Sequence, residues 1–325
     1  MQKSFLMLAM SFVFGTAAQA QTQNWEWVLE PTFALPCEFH EGLGFIHGGE
    51  SGIDKGFIDI SGKTVIPIQF EDGHFFKEGL AGVKKNGKWG FIDKTGKMVI
   101  QPAFDAVNHF SEGLVAVQKN EKWGVIDKTG KVIIPFNLFA TASGFSEGYI
   151  WAHDKEEIEA KPIIFDKTGK QIEKPEPHWG FQYPNGLRIS TFYEDGAYDE
   201  SAKSGYEDKT GKLVIPRNFN RAQEFSEGLA IAENDMMSGF GYLNPKGKWA
   251  IAPQFSRAGN FKNGLAPAGN DSETGYINPK GKWVIKFPSE KNGKYVRWDI
   301  EEFNDGLADV RTGGGWGVIR YKPSK

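Results

Sequence analysis

The sequence predicts an all-β protein of about eight tandem antiparallel units of ~35 residues, arranged as a propeller-like ring. Three observations carry this. A glycine ladder, Gly42, Gly79, Gly113, Gly148, Gly186, Gly228, Gly264 and Gly306, recurs every 34 to 42 residues. A second ladder, Gly62, Gly96, Gly130, Gly169, Gly211, Gly247 and Gly281, keeps the same period. Between them lie short apolar runs bounded by turn dipeptides, too brief for helices and suited to strands. An open β-solenoid of stacked hairpin units is the alternative architecture.

Residues 76–104 display one unit in full. After Glu78-Gly79, Leu80-Ala81-Gly82-Val83 reads as a tight strand, here strand A. Asn86-Gly87 follows, the dipeptide that best tolerates positive φ at both centres of a two-residue hairpin turn. Strand B is then 88–93. Asp93-Lys94-Thr95-Gly96 is a second turn, with Asp able to bond the backbone two residues on and Gly accepting a left-handed conformation. Strand C is 97–104. Strand B places Trp89 and Phe91 on one face and Ile92 on the other, so both faces need a neighbour. A lone three-stranded sheet could not bury them, whereas stacked copies could.

Along the chain, eight A strands and eight B strands can be placed, the last pair at 307–310 and 316–319. The eighth C strand is missing at the C-terminus. Residues 28–33, near the N-terminus, match 99–104 in pattern. The array is therefore permuted, and a ring could complete its last unit with its first strand and hide both sheet edges. Pairing of 28–33 with 316–319 is the test of closure.

In front of the array, Met1-Gln2-Lys3, an apolar run over 5–15 and Ala18-Gln19-Ala20 form a secretory signal pattern, with a mature chain expected from Gln21. Residues 1–20 are thus read as a leader and 21–325 as one repeat domain, with irregular units at about 148–216. The apolar run is short of the ~20 residues a spanning helix needs. Export to the periplasm, cell surface or medium is the expected address. Net charge is −3, which suggests neither nucleic acid nor an anionic membrane as partner. Cys37 is the single cysteine and reads as a buried, inert thiol.

Several residues invite a chemical reading. Asp59, Asp93, Asp127, Asp166 and Asp208 could be carboxylate ligands or acid-base groups, but Asn244 and Asn278 occupy the same position in later units. Asn keeps the turn and removes the charge, so Asp93, Asp127 and their equivalents read as turn caps, with Gly96 and Gly130 closing the turns. Trp89 and Trp123 read as packing residues, because later units carry Tyr242 and Tyr276 in strand B and move the indole to Trp249 and Trp283. The six histidines lack metal-ligand spacing, and no cofactor or metal is implied. Residues 56–64 lack the glycine spacing of a phosphate-binding loop.

Length variation concentrates between strands A and B, at 151–162, 189–204, 233–237, 269–274 and 311–315. Equivalent loops of a repeat array project from one face, where binding surfaces usually lie. The acidic, aromatic stretch with Tyr193, Glu194, Asp195, Tyr198 and Asp199 is the leading binding candidate, joined by Asp235, Met236 and Met237.

The Gly79-Leu80-Ala81, Lys88 to Asp93 and Thr95-Gly96-Lys97 elements resemble the WG (KWG) repeat family of bacterial exported and surface proteins, over roughly 29–321. Trp89-Gly90 and Trp123-Gly124 match closely, whereas units four and five lack the dipeptide. The alternation of strands with Thr-Gly turns is also similar in fold to quinoprotein-like β-propellers. The family has no single known activity, so the resemblance implies a class and not a substrate. The expectation is a non-enzymatic binding or scaffold module for a protein or an envelope polysaccharide, acting through the A–B loop face. The alternatives are a hydrolase using loop carboxylates such as Glu194, Asp195 and Asp235, and a purely structural envelope protein.

Overall fold

A computed structural model describes residues 24–48, 54–138, 140–141, 145, 148–153, 163–173, 184–192, 202–234, 238–288, 290–291, 294–295 and 297–322. The predicted leader lies outside them. Eight antiparallel sheets follow one another as blades, with a small hairpin, Glu290–Lys291 with Lys294–Tyr295, after the seventh. Among the described residues no helix is long and apolar enough to cross a membrane.

The second blade shows the plan. Leu80–Lys85, Lys88–Asp93 and Met98–Phe104 are strands A, B and C, in the places the sequence predicts. Asn86 (φ 53°) and Gly87 (φ 73°) form the left-handed two-residue turn between A and B. A fourth strand, the two residues Asp72–Gly73, pairs with strand A on its inner side, where only three strands were expected. The same short strand recurs as Ala106–Val107, Arg221–Ala222, Arg257–Ala258 and Asp299–Ile300. Two residues carry no periodicity, which is why the sequence hid it.

The first strand, Trp25–Phe33, pairs with Gly315–Tyr321 of the last blade, Leu29 opposite Val318 and Phe33 opposite Trp316. The eighth blade thus borrows its C strand from the beginning of the chain. Behind this pairing, Leu307 and Val318 of the eighth blade share an apolar cluster with Cys37, Phe39 and Ile58 of the first. The blades form a ring, and the open solenoid is set aside.

Among the described residues, apolar clusters join neighbouring blades at every junction but that of the fourth with the fifth. Ala81, Val83 and Ile92 pack on Phe57 and Ile66 of the first blade, while Phe91 and Ile100 pack on Val115 and Val117 of the third. Trp89 is 8% exposed inside this second cluster, and Trp123, Trp249 and Trp283 lie half-buried against others. The tryptophans are packing residues. Tyr242 stands in register with Phe91, and Phe240 in the place of Trp89. The buried Tyr206, Tyr242 and Tyr276 hydroxyls donate to carbonyls at the start of the next blade, those of Gln223, Gly259 and Glu301.

The turns match their sequence reading. Asp93 Oδ1 accepts the Thr95 amide at 2.9 Å, the Thr95 hydroxyl at 2.6 Å and the Lys97 amide at 3.1 Å. Asn244 accepts the Lys246 and Lys248 amides in the same way. The Glu-Gly turns before strand A do more than the glycine ladder suggests. Glu78 (φ 54°) and Gly79 (φ 84°) form another left-handed turn. From it the Glu78 carboxylate reaches the next blade and accepts the amides of Glu112 at 2.5 Å and Gly113 at 2.9 Å. Lys128 of that blade pairs with it at 3.2 Å. Glu41 holds Glu78 and Gly79 likewise, with Lys94. Asp305 carries the hook across the closure, accepting the Gly42 amide at 3.1 Å.

Candidate functional site

The hairpin turns sort the ring into two faces. Asn86-Gly87 lies on one, and the Glu-Gly and Asp-Lys-Thr-Gly turns lie on the other, where Lys94 meets Glu41. In the fifth blade, pairing of Leu187–Phe192 with Lys203–Asp208 ends at Phe192 opposite Lys203. In the sixth, Ala232 lies opposite Gly241 before the strands part. The strand pairs that flank both insertions therefore end on the face of Asn86-Gly87. The predicted binding residues themselves, Tyr193, Glu194, Asp195, Tyr198, Asp199, Asp235, Met236 and Met237, lie outside the described residues. One predicted insertion is absent: Thr312 pairs with Gly315, so 311–315 holds an ordinary two-residue turn.

A cavity of about 770 Å³ opens among the inner parts of the seventh and eighth blades and the segment that follows the first strand. Its lining runs from Arg257, Thr274 and Trp316 at the A–B face to His40, Lys262 and Asn304 near the opposite one. Asp309, in strand A of the eighth blade, is 8% exposed. Its two carboxylate oxygens accept the Cys37 amide at 2.8 Å and the Glu38 amide at 3.0 Å. Burial pushes its carboxyl up, the two amides work against this, and the carboxylates of Glu38 and Glu301 push further, to about 6. Glu301 is an exposed residue whose carboxyl is partly enclosed, and that partial burial foremost, then Glu302, Glu38 and Asp299, raises it. Two of the lining cations are engaged: Lys262 with Glu302 at 2.8 Å and Arg297 with Asp299 at 3.1 Å. Arg257 donates to the Thr274 hydroxyl at 3.0 Å.

Next to the cavity, aromatic and imidazole rings stack from blade to blade: His40 on Phe75 with centroids 3.8 Å apart, Phe75 on His109 at 4.0 Å, and His109 on His74 at 4.7 Å. Burial, then His74, Lys77 and His40, hold the His109 imidazole down at about 4. Cys37 is 1% exposed, and burial followed by the Asp309 charge pushes its thiol up to about 12. Such a thiol is a packing group and a poor nucleophile. Among the described residues no three His, Cys, Asp or Glu side chains are placed to hold a metal ion.

The cavity carboxylates escaped the sequence reading because they are spread over 38–309 and come together only when the ring closes. One signal was present. Asp309 stands where Gly82 and Ala116 stand in other units, a charge in the interior of an otherwise small and apolar strand.

Eight ringed sheets with a polar inner cavity define a propeller-like repeat protein. The chain belongs to the WG containing repeat family, which matches residues 56–89, 89–123, 123–152, 205–235, 240–272 and 275–287, more than half of its length. No curated protein matches it. Among solved structures it is similar to a streptogramin B lyase, at 13% identity over 92% of this chain and 98% of that one, TM-score 0.36. It is also similar to Hsv2 of Kluyvelomyces marxianus, at 11% identity over 74% and 87%, TM-score 0.42. A eukaryotic initiation factor gives 11% identity over 84% and 82%, TM-score 0.42. Nothing about activity follows from likenesses at this level.

Proposed function

We propose that the protein is an exported, non-enzymatic binding module whose A–B loop face holds a protein or an envelope polysaccharide. One observation supports this above the others. In the fifth and sixth blades the strands that flank both insertions end at the same face of the ring. A rigid ring with variable loops on one face is the usual arrangement for recognition, because the scaffold fixes where the loops stand. The leader pattern of residues 1–20 supports export.

The experiment replaces 193–201 by Asn-Gly, the turn the second blade uses. The variant should melt at the temperature of the parent, since the strands on either side keep their pairing. Its capture of envelope proteins and its retention on purified cell-wall polysaccharide should fall. If both stay at the parent's level, the loop face is not the binding surface. Fractionation of cells expressing the full chain, with N-terminal sequencing, should find a mature start at Gln21 outside the cytoplasm.

A further inference from the structure

The cavity of the seventh and eighth blades reaches the A–B face at one end but is lined by other residues than the inserted loops and has its own chemistry. Lys262 and Arg297 are each matched to a carboxylate, Glu302 and Asp299, and the third lining cation, Arg257, donates to the Thr274 hydroxyl at the A–B rim. Three acids beyond those pairs, Glu38, Glu301 and Asp309, converge at the junction of the last blade with the first. All three line the cavity, and the backbone ties them together: the Glu38 amide donates to the Asp309 carboxylate and the Glu301 amide to the Asp309 carbonyl, each at 3.0 Å. The lining thus sets five acids against three lysine and arginine side chains, and the Asp309 carboxylate is held by two backbone amides. Like charges gathered in a partly enclosed space, with backbone amides fixing the deepest one, leave a negative potential that water screens less than at an open surface.

The walls suit a particular shape of counter-charge. Pro36, Pro267 and Ile300 line the cavity beside the acids, and Trp316 stands half-buried at its A–B rim. Apolar walls take methylene stems, and an indole attracts ammonium and guanidinium groups. The volume, about 770 Å³, lies within the range of pockets that enclose small ligands or single side chains.

We propose that this cavity binds a cationic group, an ammonium or guanidinium on an aliphatic stem, seated between Glu38, Glu301 and Asp309. The group could be carried by a free polyamine or by a basic side chain of a peptide, and the chemistry recognised is the same. The assignment goes beyond the loop-face reading and does not rest on it.

The test is isothermal titration calorimetry of the full mature chain with two probes, spermidine and the dipeptide acetyl-Arg-Arg-amide, at low salt. The expected result is saturable binding of at least one probe below about 1 mM. Spermidine alone would point to a free polyamine, the dipeptide alone to a peptide partner. Glu38→Gln/Glu301→Gln, two changes at exposed side chains, should weaken that binding about tenfold or more while leaving the melting temperature unchanged. Glu121→Gln, on a distant A–B turn, should leave it as it is. No saturable binding of either probe, or equal binding by the double variant, overturns the assignment. The protein shortened at 193–201 should still bind the probe, so failure here and failure of the loop face are told apart.

Discussion

At Gly90 a single absent Cβ decides how a blade is built. A Cβ placed there would meet the Ile100 carbonyl oxygen at 2.5 Å and the Pro102 nitrogen at 2.8 Å. Strand C bulges over strand B at this point, so that Trp89 pairs with Phe104 and Phe91 with Ile100. Gly56, Gly205, Gly241 and Gly275 meet the carbonyl of Ile66, Ile215, Ile251 and Ile285 in the same way, although none follows a tryptophan. The glycine of the repeat is thus more demanding than its indole. Gly90→Ala should cost about 2–3 kcal/mol in urea unfolding, whereas Gly313→Ala, with open space around it, should stay within about 0.5 kcal/mol. Equal effects would show that the bulge gives way freely. Asp93 carries a second residue-scale prediction. The Thr95 hydroxyl foremost, with the Thr95 and Lys97 amides, holds its carboxyl below the usual range. Asn at this place keeps the same oxygen, as Asn244 does. Asp93→Asn should therefore leave the melting temperature nearly unchanged near neutral pH, and Asp93→Ala should lower it.

Strands A, B and C were legible because each announces itself through a turn whose chemistry is local: Asn86-Gly87 and Asp93 to Gly96 act within four residues. What stayed hidden acts across blades. Glu78 reads as an ordinary polar residue beside a turn glycine, yet its carboxylate joins two blades. The inner strands are too short to show a period, and the stack of His40, Phe75, His109 and His74 comes from three separate units. That stack makes stability depend on pH with a definite sign. His109 titrates at about 4 in the fold and near 6.5 when unfolded. Between these values the unfolded chain binds more protons, so the contribution is complete above about pH 6.5 and is lost as pH falls towards 4. His40, His47 and His74 are lowered too, chiefly by burial, and act in the same direction. Asp309, raised to about 6, acts in the opposite one, gaining stability as it takes up a proton. His109→Phe keeps an aromatic ring and removes the titration. Its melting temperature should drop less than the parent's between about pH 7 and about pH 5. An equal drop would assign the acid sensitivity to other groups.

The ring as a whole depends on one non-local event, the return of the chain's first strand to its last blade. Gly317 shows how fully that strand takes the place of a C strand: a Cβ on it would meet the Leu29 carbonyl oxygen at 2.7 Å and the Pro31 nitrogen at 2.8 Å, the contacts Gly90 makes within its own unit. Permutation of the repeats foretold this pairing, because a missing last strand and a spare first one match in pattern. The cavity beside it could not be foretold, since Glu38 and Asp309 come together only once the pairing exists. Closure also predicts a chemical result. Glu26 and Arg320 are opposite each other in the first-to-last pairing and form an exposed ion pair at 3.4 Å. Opposed residues of antiparallel strands lie about 4.5–5.5 Å apart at Cα, within reach of a disulfide. Glu26→Cys/Arg320→Cys should therefore oxidise spontaneously in the folded protein, with Cys37 buried and out of the exchange. The bond would tie residues 26 and 320 into one loop, and the loop-entropy account puts the stabilisation at up to about 5 kcal/mol. Oxidised protein should unfold at higher urea than the same protein reduced, and a reducing agent should return it to the parent's midpoint. If the two thiols stay free in native protein under oxidising conditions, the first strand does not close the ring in solution.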